Sequence, residues 1–328
     1  MARVRLRRFL IATGVLLATP LALVAQQAAS VPTIGYITND ATSIDKARRE
    51  AFKQGLRDLG YVEGQNYRFE ARIGEGDSAK LPAMMQDLLR AKPAVIFAFT
   101  TPAILAARNA TRDEPVVIVA HTPVELGIVS SLARPSGNLT GLTLSSGAGI
   151  YGKYIELLGE IVPNLRRIAV LHNATNGVNS FMLREALTVA AQRGITLLPV
   201  DVSRPEDVEA AIARTKKDGA EALVVLPDAM LLGQRRQIAS QCIKEGLPSV
   251  GISENVDAGS LLGYAAHRPD AFRRAASFVD RILKGAKPSD LPIEQPMKFV
   301  LEVNQATAKA LGIRMPASVL IRADRVIE

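Results

Sequence analysis

Residues 33–39 read TIGYITN, and residues 167–173 read RIAVLHN. Each is a short apolar run that ends in polar residues, and each precedes a segment whose apolar residues recur at helical spacing. Two later pairs of apolar runs follow in the same order, 94–98 with 222–226 and 116–120 with 248–252. Because the partners stay about 130 residues apart, the sequence predicts two similar α/β lobes.

The apolar runs also indicate how the strands are arranged. Runs such as 95–99 and 116–120 lack the alternation of a half-exposed strand, which is typical of strands covered by helices on both faces. Strand followed by helix, repeated along the chain, predicts an α/β fold of two doubly wound parallel sheets. The helix after the run 222–226 is predicted at 230–244.

The chain is predicted to cross between the lobes about three times, and these crossings would form a hinge. The turn-forming stretch 134–138 suggests the first crossing, a strand at 259–265 the second, and residues 288–296 the third. The first lobe would then comprise 31–142 and about 265–292, and the second about 143–264 and 293–328.

The first 25 residues have the features of an export signal. Four arginines precede residue 9, residues 9–25 are mostly apolar, and small residues lie before Gln26. The apolar run is shorter than the roughly 20 residues of a membrane span and is typical of a secretory signal peptide. We therefore expect cleavage after residue 25 and a soluble periplasmic protein, with an uncleaved anchor as the alternative.

Charge and cysteine content argue against several classes of protein. The formal net charge is +8, and removal of the four leader arginines would leave about +4 spread along the chain, which does not indicate nucleic-acid binding. Cys242 is the only cysteine, so neither an intramolecular disulfide nor a thiolate zinc site can form. We expect Cys242 to be buried on a helix.

Polar residues at the strand ends are the candidate ligand contacts, because ligands of open parallel sheets bind at the carboxyl ends of the strands. Thr101-Pro102 is typical of a capped helix start, whose free backbone N–H groups favour a carboxylate. Two tyrosines near strand ends could stack on a solute. The predicted ligand-binding residues are Tyr36, Asn39, Thr100, Thr101, His121, Thr122, Asn173, Asn176, Asp228, Ser253, Glu254 and Tyr264.

No catalytic residue, metal site or cofactor is predicted. Residues 147–152 fit the G-x-G-x-x-G of dinucleotide-binding sites, but the next strand ends in His172-Asn173 instead of the acidic residue that binds the ribose. The chain has three histidines, and no motif supplies a nucleophile with an activating base. We therefore predict that the protein is not an enzyme.

Four stretches, taken in order, are similar to a known family. They are GYVEGQN at 60–66, RPSGNLTG at 134–141, ILKGAKPSDLP at 282–292 and RADRVIE at 322–328. They resemble the ABC-transporter substrate-binding proteins of the tryptophan/tyrosine-type group. The resemblance implies a type I periplasmic-binding-protein fold, a cleft between two lobes, and delivery of a small-molecule solute to an ABC permease in the inner membrane.

The resemblance extends to the site only in part. Thr101-Pro102-Ala103 matches the Thr-Pro-Ala after the third strand of the family, and Asn173 matches its strand-end Asn. Thr122 stands where members often have Asp, and Ala174 replaces a frequent Pro. The acidic partner for a ligand amino group is missing at Thr122, so we expect a carboxylate-bearing organic solute rather than an amino acid.

The resemblance thus predicts a monomeric periplasmic solute-binding component of an ABC importer. The same two-lobed clamp could instead serve as a periplasmic ligand sensor for a signalling system, which is the alternative.

Overall fold

A computed structural model describes residues 31–40, 43–135, 137–145, 147 and 149–328. The predicted export signal lies outside these residues. Within them, every helix is too short or too polar to cross a membrane.

The first sheet contains five parallel strands in the order β2-β1-β3-β4-β5. Its strands are β1 (Thr33–Thr38), β2 (Arg68–Ile73), β3 (Val95–Phe99), β4 (Val116–Ala120) and β5 (Leu139–Thr143). The helices between these strands are α1 (Ser43–Asp58), α2 (Leu81–Arg90) and α3 (Thr101–Ala110). All residues of β1, β3, β4 and β5 are buried, and for β3 and β4 this confirms the prediction from their unbroken apolar runs. We call this sheet with its helices the first lobe.

The second sheet contains seven strands in the order β12-β11-β10-β9-β8-β6-β7. Its strands are β6 (Arg167–His172), β7 (Thr196–Asp201), β8 (Ala222–Val225), β9 (Ser249–Gly251), β10 (Leu262–Ala266), β11 (Phe299–Asn304) and β12 (Arg325–Ile327). The helices packed with it are α4 (Gly149–Ile161), α5 (Gly177–Gln192), α6 (Val208–Lys217), α7 (Ala229–Gly233), α8 (Arg235–Lys244), α9 (Ser253–Val256), α11 (Gln305–Ala310) and α12 (Ala317–Arg322). This sheet with its helices is the second lobe.

Alternate side chains of each strand pack on opposite faces of the sheet. In the first lobe, Ile34 and Phe97 belong to the core under α1 and α10 (Arg268–Leu283), whereas Ile37 and Ile96 belong to the core under α2 and α3. The second lobe divides in the same way between α4 with α5 on one face and α6 with α8 on the other. The predicted fold class, two doubly wound sheets, is confirmed. One exception is β11, which runs antiparallel to β10.

The chain crosses between the lobes at three places. The prediction of a crossing at 134–138 was wrong, because the next residues form β5, which pairs with β4 inside the first sheet from Val116 opposite Leu139 onward. The chain crosses after β5 to α4, returns after β10 to α10, and crosses again before β11. Before the third crossing, Glu294 pairs with Leu142 at the edge of the first sheet.

Local departures from the predicted elements have identifiable causes. The helix predicted at 230–244 is two helices, α7 and α8, which meet at Gln234 directly after Gly233, a residue of low helix propensity. Cys242 lies on α8 and is 1% exposed, as predicted, and burial raises the pKa of its thiol to about 12. The short elements α9, α12 and β12 are not predicted from the sequence.

Candidate functional site

A cleft of about 880 Å³ lies between the carboxyl ends of the two sheets. One wall is formed mainly by residues that follow β1, β2, β3 and β4, and the other mainly by residues that follow β6, β7 and β8. Seven of the twelve predicted ligand-binding residues line it: Asn39, Thr100, Thr101, His121, Asn173, Asn176 and Asp228.

The start of α3 forms the centre of the first wall. Thr100, not Thr101 as the sequence suggested, is the residue that precedes the helix; its φ is 75° and its side chain makes no capping hydrogen bond. Instead, Thr100 Oγ1 accepts the backbone N–H of Asn39 at 3.2 Å. The first turn of α3, with Pro102, therefore faces the cleft without a side-chain cap, and such a helix start attracts anions.

Asn39 contributes an unsatisfied acceptor to the same wall. Its side chain is 5% exposed, and its Nδ2 donates to Ser78 Oγ at 2.9 Å. Asn39 Oδ1 is buried and has no hydrogen-bond partner among the described residues. A buried acceptor of this kind is stabilised when a solute brings a donor to it.

The second wall is a network that is already hydrogen-bonded. Asp228 Oδ1 accepts the backbone N–H groups of Met230 and Leu231 and so caps α7. Asp228 Oδ2 accepts Asn176 Nδ2 at 2.9 Å, and Asn173 Nδ2 lies 3.4 Å from both carboxylate oxygens. These contacts hold the three side chains in fixed orientations at the cleft surface.

A buried ion cluster joins the two lobes beside the cleft. Arg48 of α1 lies 2.6 Å from Asp40 and 2.6 Å from Glu254, which belongs to α9 of the second lobe. Arg268, at the start of α10, lies 3.4 Å from the other oxygen of Glu254. Burial would raise the pKa of the Glu254 carboxyl, but Arg268 and Arg48 outweigh it and hold the pKa at about 2. Glu254 is therefore ionised and bridges the two arginines.

His121 is half-buried beside this cluster and remains neutral. Burial and the positive charges of Arg268 and Arg48 lower its pKa to about 3. Its Nε2 lies 3.4 Å from Arg268 Nη2. Since arginine can only donate, this geometry favours the tautomer whose proton is on Nδ1.

Five predicted site residues lie elsewhere. Tyr36 is fully buried in the first-lobe core, where its hydroxyl donates to Asp45 at 2.5 Å, and Thr122 is 5% exposed and outside the cleft lining. Glu254 belongs to the ion cluster, and Ser253, the first residue of α9, is outside the cleft lining. The half-buried ring of Tyr264 stacks on Phe299, with 5.6 Å between the centroids.

Three charged residues that line the cleft were not predicted from the sequence: Asp40, Arg48 and Arg268. Asp40 follows β1 and could have been found by extending the rule for strand ends by one residue. Arg48 lies on a helix and Arg268 follows a histidine and precedes a proline, so neither position carries a sequence signal that separates it from an exposed arginine.

The arrangement is suited to binding. In the described part of the chain, no group of three or more His, Cys, Asp or Glu side chains could hold a metal ion. The cleft presents a helix start, two arginines and several amide and hydroxyl groups, which can hold a small polar solute by hydrogen bonds and charge.

Comparison with known proteins gives the same picture. The family model for ABC transporter substrate binding proteins matches residues 35–327. A protein of Clostridioides difficile (strain R20291) called tyrosine-binding protein is 28% identical over 276 residues, which cover 83% of this chain and 78% of that relative.

Two solved structures share the fold. A conserved domain protein from Vibrio cholerae superposes with a TM-score of 0.85 at 25% identity, covering 90% of this chain and 99% of that one. An ABC domain from Streptococcus pneumonia in complex with L-Trp gives 0.84 at 24% identity, covering 91% and 100%.

The type I periplasmic-binding-protein fold implied by the resemblance is thus confirmed. Because the family model covers nearly all of the described residues, this chain belongs to the ABC transporter substrate-binding proteins, which bind solutes and are not enzymes.

Proposed function

We propose that this chain is the exported, periplasmic solute-binding component of an ABC importer. It acts as a monomer, captures a small carboxylate-bearing organic solute between its lobes, and delivers the solute to a permease in the inner membrane. The observation that carries the proposal is the cleft of about 880 Å³, whose two walls come from different sheets. A cavity of this size accommodates a small organic molecule.

The groups on the first wall support a carboxylate on the solute. The uncapped start of α3 presents backbone N–H groups and the positive end of the helix dipole, and Arg48 and Arg268 line the same cleft. The tyrosine-binding relative takes a ligand that carries a carboxylate as well. An acid is therefore the best match to the donors in the cleft.

Closure of the lobes would couple binding to delivery. The solute contacts groups on both walls, so it binds the closed form better than the open form and shifts the population toward it. The closed form then presents both lobes together to the permease.

Calorimetry on site variants tests the binding step. Native mass spectrometry of protein purified without refolding identifies a retained solute, which then serves as the titrant. Thr101→Ala and Asn173→Ala should each weaken its binding roughly 5- to 150-fold, because each change removes a hydrogen-bonding group from the cleft. The matched control is Thr188→Ala, an exposed threonine on α5. Unchanged affinity in both cleft variants would show that the solute binds elsewhere.

Transport and export need separate measurements. Cells that lack this gene should fail to take up the labelled solute, whereas a sensor would leave uptake intact and change gene expression.

Export predicts a mature N-terminus near Gln26 in a periplasmic extract. Recovery of intact Met1 from a cytoplasmic fraction would contradict it.

A further inference from the structure

Arg268 occupies an unusual position in the cleft. It is the first residue of α10, at the point where the chain returns to the first lobe, and its side chain is only 6% exposed. It lines the large cleft and also a neighbouring cavity of about 20 Å³, which has room for one water molecule. Arg268 therefore stands between the cleft and the protein interior.

The guanidinium of Arg268 has few of its donors satisfied. Of five N–H donors, one lies 3.4 Å from Glu254 and one 3.4 Å from His121, and the buried Nε has no partner among the described residues. Arg48, which shares Glu254, makes both of its ion pairs at 2.6 Å. Glu254 is thus held mainly by Arg48, and Arg268 keeps donor capacity for a further partner.

The charges near Arg268 also leave its positive charge incompletely balanced. His121, which lies beside it, is neutral and offers no compensating charge. Burial lowers the pKa of Arg268. Burial acts in the same direction at Arg48, but there Glu254 and Asp40 outweigh it, so the pKa of Arg48 is raised. A buried cation with incomplete compensation is costly and is stabilised by an arriving anion.

We propose that Arg268 binds the carboxylate of the solute and determines the preference of the cleft for acids over neutral analogues. The inference rests on the proposed solute-binding function and names the residue that selects the solute's charge. A carboxylate accepts two N–H groups of the guanidinium in the fork geometry that arginine offers and lysine does not. The solute's carboxylate would replace the weak 3.4 Å contacts with short charged hydrogen bonds.

Matched pairs of probes test the proposal by calorimetry. The panel contains small aromatic and aliphatic carboxylic acids, each with its own amide, such as 3-(4-hydroxyphenyl)propanoate and the corresponding propanamide. The wild type should bind each accepted acid roughly 10- to 100-fold more tightly than its amide. Arg268→Gln should bring this ratio close to one, and Arg268→Lys should retain part of it. The control is Arg274→Gln on the same helix, where the arginine is exposed and pairs with Glu294, and it should leave the ratio unchanged.

The outcomes separate this inference from the function on which it rests. A wild type that binds neither acids nor amides would overturn the proposed solute class and the inference with it. A wild type that prefers acids, with Arg268→Gln keeping that preference, would overturn the inference alone.

A measurement on the wild type does not depend on the variant being folded. The NMR signal of Arg268 Nε–H, assigned by its absence in Arg268→Lys, should move when the acid is added and stay in place with the amide. An unmoved signal at saturation with a bound acid would refute the role of Arg268.

Discussion

Thr122 follows β4, at a position where the resemblance to the family led us to expect Asp. The structure buries Thr122, and its Oγ1 lacks a hydrogen-bond partner among the described residues. A carboxylate that could balance a solute's ammonium group is therefore missing at this place.

Organic acids should bind better than amino acids of equal size. In a thermal-shift screen, a ligand that binds only the folded state raises the melting temperature with its concentration. We expect 3-(4-hydroxyphenyl)propanoate to raise the melting temperature more than L-tyrosine does at the same concentration. If only amino acids shift the transition, another acidic residue has taken over the role.

His121 should make stability depend on pH. Its pKa is about 3 in the folded protein and about 6.5 in the unfolded chain, so the unfolded state binds more protons as pH falls through this window. The free energy of unfolding is therefore highest above pH 6.5 with respect to this group. As the pH falls from 6.5 toward 3, the free energy of unfolding decreases by up to about 1.4 kcal/mol per pH unit.

The variant His121→Asn isolates this effect because it keeps a polar side chain and removes the titration. Between pH 7 and pH 5, the free energy of unfolding of the wild type should fall about 2 kcal/mol further than that of the variant. Denaturant titrations at the two pH values measure the difference. Equal losses in both proteins would mean that His121 is protonated in the folded state as easily as in the unfolded chain.

At the scale of elements, the cleft walls differ in how their helices begin. α3 begins without a side-chain cap, whereas α7 is capped by Asp228. Asp228 therefore has a structural task as well as a place in the cleft.

Asp228→Ala should therefore lower both stability and affinity. Loss of an N-cap costs about 1 kcal/mol of unfolding free energy, and loss of the cleft network should weaken solute binding roughly 5- to 100-fold. The matched control is Asn304→Ala, because Asn304 caps α11 outside the cleft by accepting the Thr307 N–H at 2.9 Å. The control should lose stability and keep affinity, as judged by chemical unfolding and calorimetry. Full affinity in Asp228→Ala would remove Asp228 from the site.

At the scale of the whole molecule, the ion pair between Arg48 and Glu254 connects the two lobes. The pair is short and almost fully buried, so salt screens it little. Removal of one partner from a buried pair leaves an unbalanced charge. Because water stabilises that charge, the lobes should move apart and expose it. Asp40 remains beside Arg48 and limits the cost to folding within the first lobe.

Glu254→Gln should increase the radius of gyration of the unliganded protein in small-angle scattering, and a bound solute should reduce it again. Glu160→Gln is the control, because Glu160 pairs with Arg322 at 2.6 Å inside the second lobe and should leave the radius unchanged. If Glu254→Gln and the wild type have the same radius with and without solute, the lobes are not held by this contact.

The sequence by itself determined the repeated strand and helix order, the burial of strands on both faces, and seven polar residues that line the cleft. These features are local: an apolar run such as 95–99 is a strand in any context that covers it, and the polar residue after it lies at the sheet edge. The family motifs added the fold type. The prediction at 134–138 failed because a turn-rich stretch is compatible with a loop within a lobe as well as with a crossing.

The tertiary structure alone decided which charges meet. Arg48 and Glu254 lie 206 residues apart in the chain, and Arg268 is brought to the cleft by the second crossing. Burial makes these arginines part of a cluster that joins the lobes and lines the cleft, because a charge away from water must find a partner. Long-range packing also excludes Tyr36 from the candidate site, because its ring is part of the core between the sheet and α1. The spacing of residues along the chain does not indicate such long-range contacts.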